Sequence, residues 1–294
     1  MDFLAQDKLL FPEIIKNWPV DIHKKMRAKV LVIAGSREMV GAAALVVAAA
    51  YRAGAGTVIL AAPKSLEKYY KQIPFEALVF PCPETWVGSL SPRAEKKILE
   101  KSKEYDVVVL GPGLSENRAT KRLTRRIVLK LKKPLVLDAS GLRALKGKTN
   151  LFKKREFPTI LTPHEGEMGS LCGLTSEEVH KNRQQLAREK AREWGVTVVL
   201  KGHETIIASH LLEKLIVNQT GGPSLATAGT GDVLAGILAV LWTENLNKPV
   251  EAASAAVFLH GRAGDLASRE LGERSVMAGD VIEYLPKALQ SLKI

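Results

Sequence analysis

The sequence predicts an α/β domain built on a doubly wound, mostly parallel sheet, and three observations predict it. Short β-rich runs alternate with longer helical patterns along the first two thirds of the chain. Most of those runs are continuously apolar rather than alternating, as strands buried on both faces of a parallel sheet are. Regular strand–helix alternation closes through right-handed crossovers into a sheet covered by helices on both faces.

The expected strands are residues 29–34 (KVLVIA), 57–62 (TVILAA), 77–80, 106–110, 135–138, 159–161 and 197–200, all led by Val, Ile and Leu. The helices expected between them are 41–52, 91–103, 117–131, 165–172 and 176–194. The start of the fourth reads Thr162-Pro163-His164-Glu165, a capping box in which Thr162 caps, Pro163 takes the first helical position and Glu165 reaches back. After Lys201 the pattern changes: 205–208 and 215–218 flank a short stretch with Ser209, His210, Glu213 and Lys214, and read as an antiparallel hairpin. Helices follow over 232–243, 250–269 and 278–291. Without a Ser- or Pro-rich linker, a low-complexity tract or a repeat, 1–294 reads as a single domain, with 1–20 an N-terminal extension.

Composition narrows the function. A chain of 294 residues with 46% apolar residues buries roughly three quarters of its unfolded surface, so it needs neither disulfides nor metal to fold. Cys82 and Cys172 are far apart and outside any Cys-x-x-Cys spacing, which argues against structural zinc and fits a reducing compartment. The N-terminus carries Asp2 and Asp7 and lacks the basic region of a secretory signal, and the apolar run 42–51 is too short to cross a membrane. A cytoplasmic location is expected. The net charge of +12 gathers at 23–29, 121–133 and 146–155. In KRLTRRIVLKLKK, however, Leu123, Ile127, Val128 and Leu131 keep helical spacing, which puts the charges on a solvated face. No aromatic residues interleave them for stacking on bases, so no nucleic-acid partner is expected; the basic surface can still steer phosphorylated substrates.

The segment 218–236, NQTGGPSLATAGTGDVLAG, carries the chemistry. A Gly-rich loop entering a helix leaves N–H groups unpaired, and with the helix dipole these hold phosphate. Asp232, in the first turn, either stabilises the helix start or takes a proton from a substrate hydroxyl that attacks phosphorus. The segment is not a Walker loop, since no lysine adjoins it, and Gly35 is followed by Ser36 rather than by a G-x-G-x-x-G fingerprint.

The segment GTGDVLAG (229–236) resembles the anion-hole motif of the ribokinase-like superfamily. With it stand AGSREMVGAAALVVAAAYRAGAGTV (34–58), GPGL (111–114), LDASGL (137–142), LTPHEGE (161–167) and LKGHETIIA (200–208), in the order and spacing of the NAD(P)H-hydrate dehydratase family. The resemblance runs from about residue 20 onward. It implies a ribokinase-like three-layer α/β/α fold with a mostly parallel central sheet and a C-terminal β-hairpin plus helices. It also implies ADP- or ATP-driven dehydration of hydrated NADH or NADPH, with magnesium, in a homotetramer.

Carried over residue by residue, Asp232 is the catalytic base. Ala42, Gly113, His164 and Asp232 face the hydrated nicotinamide. Lys201, Gly202, His203, Glu204 and Thr205, with Gly229, Thr230 and Gly231, line the adenine nucleotide. Asp138, Glu165 and Glu167 are candidates to organise magnesium, with helix capping an equal reading for Asp138. The chain departs from the family where Ala34-Gly35 replaces a double glycine, Lys25 a glycine, and 221–225 a loop with asparagine and a second glycine. The family's N-terminal epimerase domain has no room in this sequence, so its activity is expected to be absent. Two other readings stay open. One is a kinase of the same superfamily acting on a hydroxymethylpyrimidine- or thiazole-type alcohol; the other, suggested by charge alone, is a nucleic-acid binder.

Overall fold

The structure, a computed structural model, describes residues 3–4, 14–15, 17–24, 26–70, 74 and 76–292. Its strands are β1 (Phe3–Leu4), β2 (Lys29–Ile33), β3 (Thr57–Pro63), β4 (Leu78–Cys82), β5 (Val107–Leu110), β6 (Leu135–Leu137), β7 (Thr159–Leu161), β8 (Thr197–Leu200), β9 (Ile206–Ser209) and β10 (Leu215–Val217). They form one sheet in the order β1-β10-β9-β8-β7-β6-β5-β2-β3-β4. Neighbours from β4 to β8 are parallel, whereas β9 runs antiparallel to β8 and β10. The expected hairpin is thus β9–β10, and β1, inside the expected N-terminal extension, adds a strand parallel to β10.

The helices are α1 (Val40–Arg52), α2 (Glu67–Tyr70), α3 (Glu95–Ser102), α4 (Arg118–Lys130), α5 (Ser140–Arg143), α6 (Glu165–Cys172), α7 (Ser176–Lys181), α8 (Arg183–Trp194), α9 (Thr230–Glu244), α10 (Pro249–Leu271) and α11 (Ala278–Gln290). The continuous apolar runs have a direct cause. Val30 and Val32 of β2 enter one core with α1, α9, α10 and α11, while Leu31 and Ile33 enter a second with α3, α4 and α6 to α8. Val107 and Val109 against Val108 and Leu110 repeat the division in β5. Past the first residue, these strands are apolar on both sides because both faces are covered, which gives the three-layer α/β/α fold.

Three local expectations shift. The helix expected over 176–194 breaks at Asn182 (φ −126°, ψ 23°), whose side-chain amide donates to the Glu178 carbonyl at 3.1 Å and so diverts the backbone. The cap of α6 is His164, not Thr162, and the reciprocal acid is Glu167, not Glu165. The helix expected from residue 232 starts at Thr230, because Gly229 (φ 92°) turns the chain into it one residue earlier. Ala43, Ala49 and Ala50 of α1 are buried within the chain, Ala49 and Ala50 lying against Gly236 of α9.

Winding runs outward from β2 to β3 and β4, then restarts on the other flank of β2 with β5 and continues to β8. The reversal between β2 and β5 is a switch point, and the crevice beyond the C-terminal strand ends there is where open α/β sheets bind ligands.

Candidate active site

Each strand near the switch point delivers a polar or glycine turn to the same edge. The turn after β2 is tied to the turn after β5 by Gly35 N–H donating to the Pro112 carbonyl at 2.9 Å. Gly113 lies against Ala42 at the start of α1, so these two expected substrate residues adjoin. Asp138 follows β6, His164 follows β7 and Lys201 follows β8; the Lys201 N–H donates to the Pro163 carbonyl at 2.8 Å, locking the last two together.

A charge cluster fills the middle. Asp138 is 1% exposed, and its Oδ1 accepts from Lys201 Nζ at 2.8 Å. Glu167, 3% exposed, has Oε2 3.9 Å from the same ammonium. Burial alone would depress the Lys201 ammonium, but Asp138 and Glu167, helped by Asp232, outweigh it and hold Lys201 above its ordinary value. Ala139 takes φ 50° and ψ −124° directly after Asp138. A non-glycine residue there costs ~1–3 kcal/mol, strain of the kind that collects where a fold must aim a side chain.

His164 is used twice. Its Nδ1 accepts from Gly166 N–H at 3.0 Å and Glu167 N–H at 3.3 Å, so that nitrogen carries a lone pair and the proton sits on Nε2. Nε2 is 3.4 Å from Glu167 Oε1. Burial, and after it the nearby Lys201 and Arg143, pull the ring below its usual value against the opposing pull of Glu167. The imidazole is therefore neutral, half-exposed, and held in one tautomer.

Facing this edge, α9 begins with Gly229-Thr230-Gly231-Asp232. Gly229 needs glycine, since it takes φ 92° and a Cβ there would lie 2.5 Å from Leu45 Cδ1; a Cβ on Gly231 would lie 3.1 Å from Lys201 Nζ and press on that ammonium. Among the described residues no protein acceptor meets the Gly231 or Asp232 N–H, while Thr230 N–H is 3.4 Å from the Thr227 carbonyl. Burial, and after it the negative charge of Asp138, raise the Asp232 carboxyl to about 7 even with Lys201 pulling the other way. A carboxyl at that value is divided between acid and base near neutral pH, as a general base should be.

A cleft of about 340 Å³ opens beside this helix start, lined by Lys201, Gly202, His203, Thr205, Thr230 and Gly231 together with 218–226 and α10. Glu204 is not on its wall; it lines a separate depression with His180 and Arg188. Glu165 is turned away as well, pairing with His180 at 3.0 Å and Arg183 at 3.2 Å. Arg183 in turn donates to the His203 carbonyl at 2.5 Å, so Glu165 braces the turn after β8 from behind. Sequence reasoning missed His260. Buried on α10, it shares a 2.9 Å hydrogen bond with the Thr230 carbonyl, and burial drives it down to about 4, so the neutral ring donates through Nε2. A histidine within the otherwise small, apolar run AASAAVFLHG is the signal that was available. Asp265, accepting from Gly221 N–H at 3.1 Å, was missed too, and only the fold reveals it.

Among the described residues, no group of three or more His, Cys, Asp and Glu side chains is arranged to hold a metal ion unaided. Asp138 and Glu167, with Asp232 near them, are nonetheless hard oxygen donors. They suit a cation held mainly by phosphate and water. No helix is long and apolar enough to cross a membrane among the described residues.

The family model of the NAD(P)H-hydrate dehydratases matches residues 30–287. A bifunctional NAD(P)H-hydrate repair enzyme from Moorella thermoacetica is 40% identical over 271 residues, covering 92% of this chain and 51% of that protein. The chain thus spans about half the length of the bifunctional relatives it matches. An ADP-dependent (S)-NAD(P)H-hydrate dehydratase from Neisseria meningitidis is 34% identical over 283 residues, covering 95% of this chain and 90% of that one. The ADP/ATP-dependent NAD(P)H-hydrate dehydratase of Bacillus subtilis, co-crystallised with ATP and magnesium, has the same fold, with a TM-score of 0.85, 28% identity and 99% coverage of both chains. The ribokinase-like expectation for the fold holds. With the match extending over most of its length, the chain belongs to the NAD(P)H-hydrate dehydratase family.

Proposed function

We infer that this chain restores NADH or NADPH from the hydrated form by consuming ADP or ATP, with AMP or ADP and phosphate as the other products. The observation that carries the reading is the Asp232 carboxylate, raised to about 7, in the same helix turn as the unpaired Gly231 N–H and next to Lys201. In the reaction, Asp232 takes the proton of the ring hydroxyl, whose oxygen attacks the terminal phosphorus and displaces the shorter nucleotide. The carbon–oxygen bond of the phosphorylated ring then breaks, phosphate leaves with the bonding pair, and loss of a proton from the neighbouring carbon restores the double bond. The Gly231 and Asp232 amides and Lys201 hold the phosphoryl oxygens as charge builds on them. Ala42, Gly113 and His164 position the ring, while Gly202, His203 and Thr205 line the nucleotide cleft. Magnesium, held by Asp138 and Glu167 through its waters, would offset phosphate charge. A cytoplasmic homotetramer fits this reading.

The test is to incubate the protein with hydrated NADH or NADPH, magnesium, and either ADP or ATP. Return of reduced-nicotinamide absorbance with stoichiometric phosphate supports the reading and selects the nucleotide. A stable phosphorylated product in place of free phosphate would identify a kinase instead.

A further inference from the structure

The charges of α4 do not all face solvent as the sequence suggests. Arg126 and Lys130 pair with Glu95, but Lys121 and Arg125 turn the other way and meet Arg143 and Lys146 from the α5 region. Together they line a groove of about 600 Å³ whose wall also includes His164. Four cationic side chains there share a single lining carboxylate, Glu116, which pairs with Lys121 at 2.9 Å and Arg143 at 3.2 Å. Arg125 donates to the Ala144 carbonyl at 2.6 Å and is fixed in place. Lys146 is exposed, and its ammonium has no partner among the described residues.

The groove and the charge cluster are neighbours: His164 lies on the groove wall, and the buried Glu167 stands between the two. Lys201 approaches Glu167 at 3.9 Å, and Glu167 is 3.4 Å from His164 and 3.8 Å from Arg143. Because His164, expected to contact the substrate ring, is itself on the groove wall, a ligand ring resting against it brings the rest of the ligand to this positive groove. Resting on the function inferred above, we propose that this groove binds a phosphate of the dinucleotide substrate, with Arg143 and Lys146 as its principal donors. The adenine nucleotide that drives the reaction occupies the separate cleft beside Gly231. A concave site with an excess of one charge sign is what concentrates and orients a polyanion, and an arginine fork matches phosphate oxygens.

Steady-state kinetics on Lys146→Glu, and on Lys121→Ala combined with Lys146→Ala, test this with hydrated NADH and hydrated NADPH as separate substrates. The expected result is a rise of about 10–150-fold in KM for the dinucleotide, the scale of one lost charged hydrogen bond. The KM for ADP and kcat should stay within about twofold, since neither lysine belongs to the nucleotide cleft or touches Asp232. Added salt should weaken dinucleotide binding more in the wild type than in the variants. A rise confined to hydrated NADPH assigns the groove to the 2′-phosphate, and an equal rise for both assigns it to the pyrophosphate; either upholds the proposal. An unchanged dinucleotide KM, or an equal rise in the KM for ADP, overturns it. If the wild type performs no dehydration, the functional reading is at fault. Calorimetric binding of NADP⁺ to wild type and Lys146→Glu then still decides the groove, with equal affinities rejecting it.

Discussion

Replacing Asp232 with asparagine removes the charge and the basic oxygen while keeping the shape, and it should move activity and stability in opposite directions. In the proposed role of general base, Asp232 should contribute roughly 10²–10⁴-fold to turnover. In the free enzyme, the base form of a carboxyl at about 7 accumulates tenfold per pH unit below that value. Wild-type kcat/KM should therefore climb to a plateau above pH ~7, and the residual activity of the variant should lack that limb. Stability follows from the same carboxyl. Its value rises on folding from 3.8 to about 7, so the native state holds a proton that the unfolded state has lost. The fold therefore weakens as pH rises through that window and recovers nothing above it. At ~1.4 kcal/mol per pH unit the ceiling is about 4 kcal/mol, and partial exposure reduces it to roughly 1–3 kcal/mol. Asp232→Asn should thus be more stable than wild type at pH 8 and equal to it near pH 4, read by urea midpoints at both pH values. Near-wild-type turnover, or a variant less stable at pH 8, would refute the assignment of a partly buried base with a raised carboxyl value.

Other perturbations probe the surrounding shell. Lys201→Met leaves Asp138 and Glu167 buried without their cation, and should cost about 3–5 kcal/mol in denaturant melts and raise the KM for nucleotide; an unchanged melt would mean that the cluster is not held by Lys201. Gly229→Ala forces a side chain into φ 92° against Leu45 and should cost at least ~1–3 kcal/mol and most activity, visible together in a thermal melt and the absorbance assay. His260 falls from 6.5 to about 4 on folding, so the native state binds fewer protons than the unfolded state between those values. Wild type should lose up to roughly 3 kcal/mol as pH drops from 6.5 to 4, and His260→Gln should flatten that slope; parallel pH profiles would show that the ring is not buried neutral.

The sheet was readable because its cause is local. A strand covered on both faces must be apolar at successive positions, so the runs VLVIA and VILAA announce both their conformation and their layer. The glycine entry to α9 was readable for a similar reason, since positive φ and unpaired amides leave a compositional mark. What stayed hidden depends on which of two competing partners a polar side chain takes once the chain has folded. Thr162, His164, Glu165 and Glu167 permit two capping boxes with nearly the same pattern, and only packing selects the one that exposes the His164 ring and aims Glu167 at Lys201. The charges of α4 show the same ambiguity on a larger scale. A helical wheel separates apolar from polar, but it cannot tell the arginine that neutralises Glu95 from the one that faces Lys146 across a groove. Periodicity in this chain therefore locates the scaffold, and the long-range pairing of charges, which it does not encode, decides what the scaffold can bind.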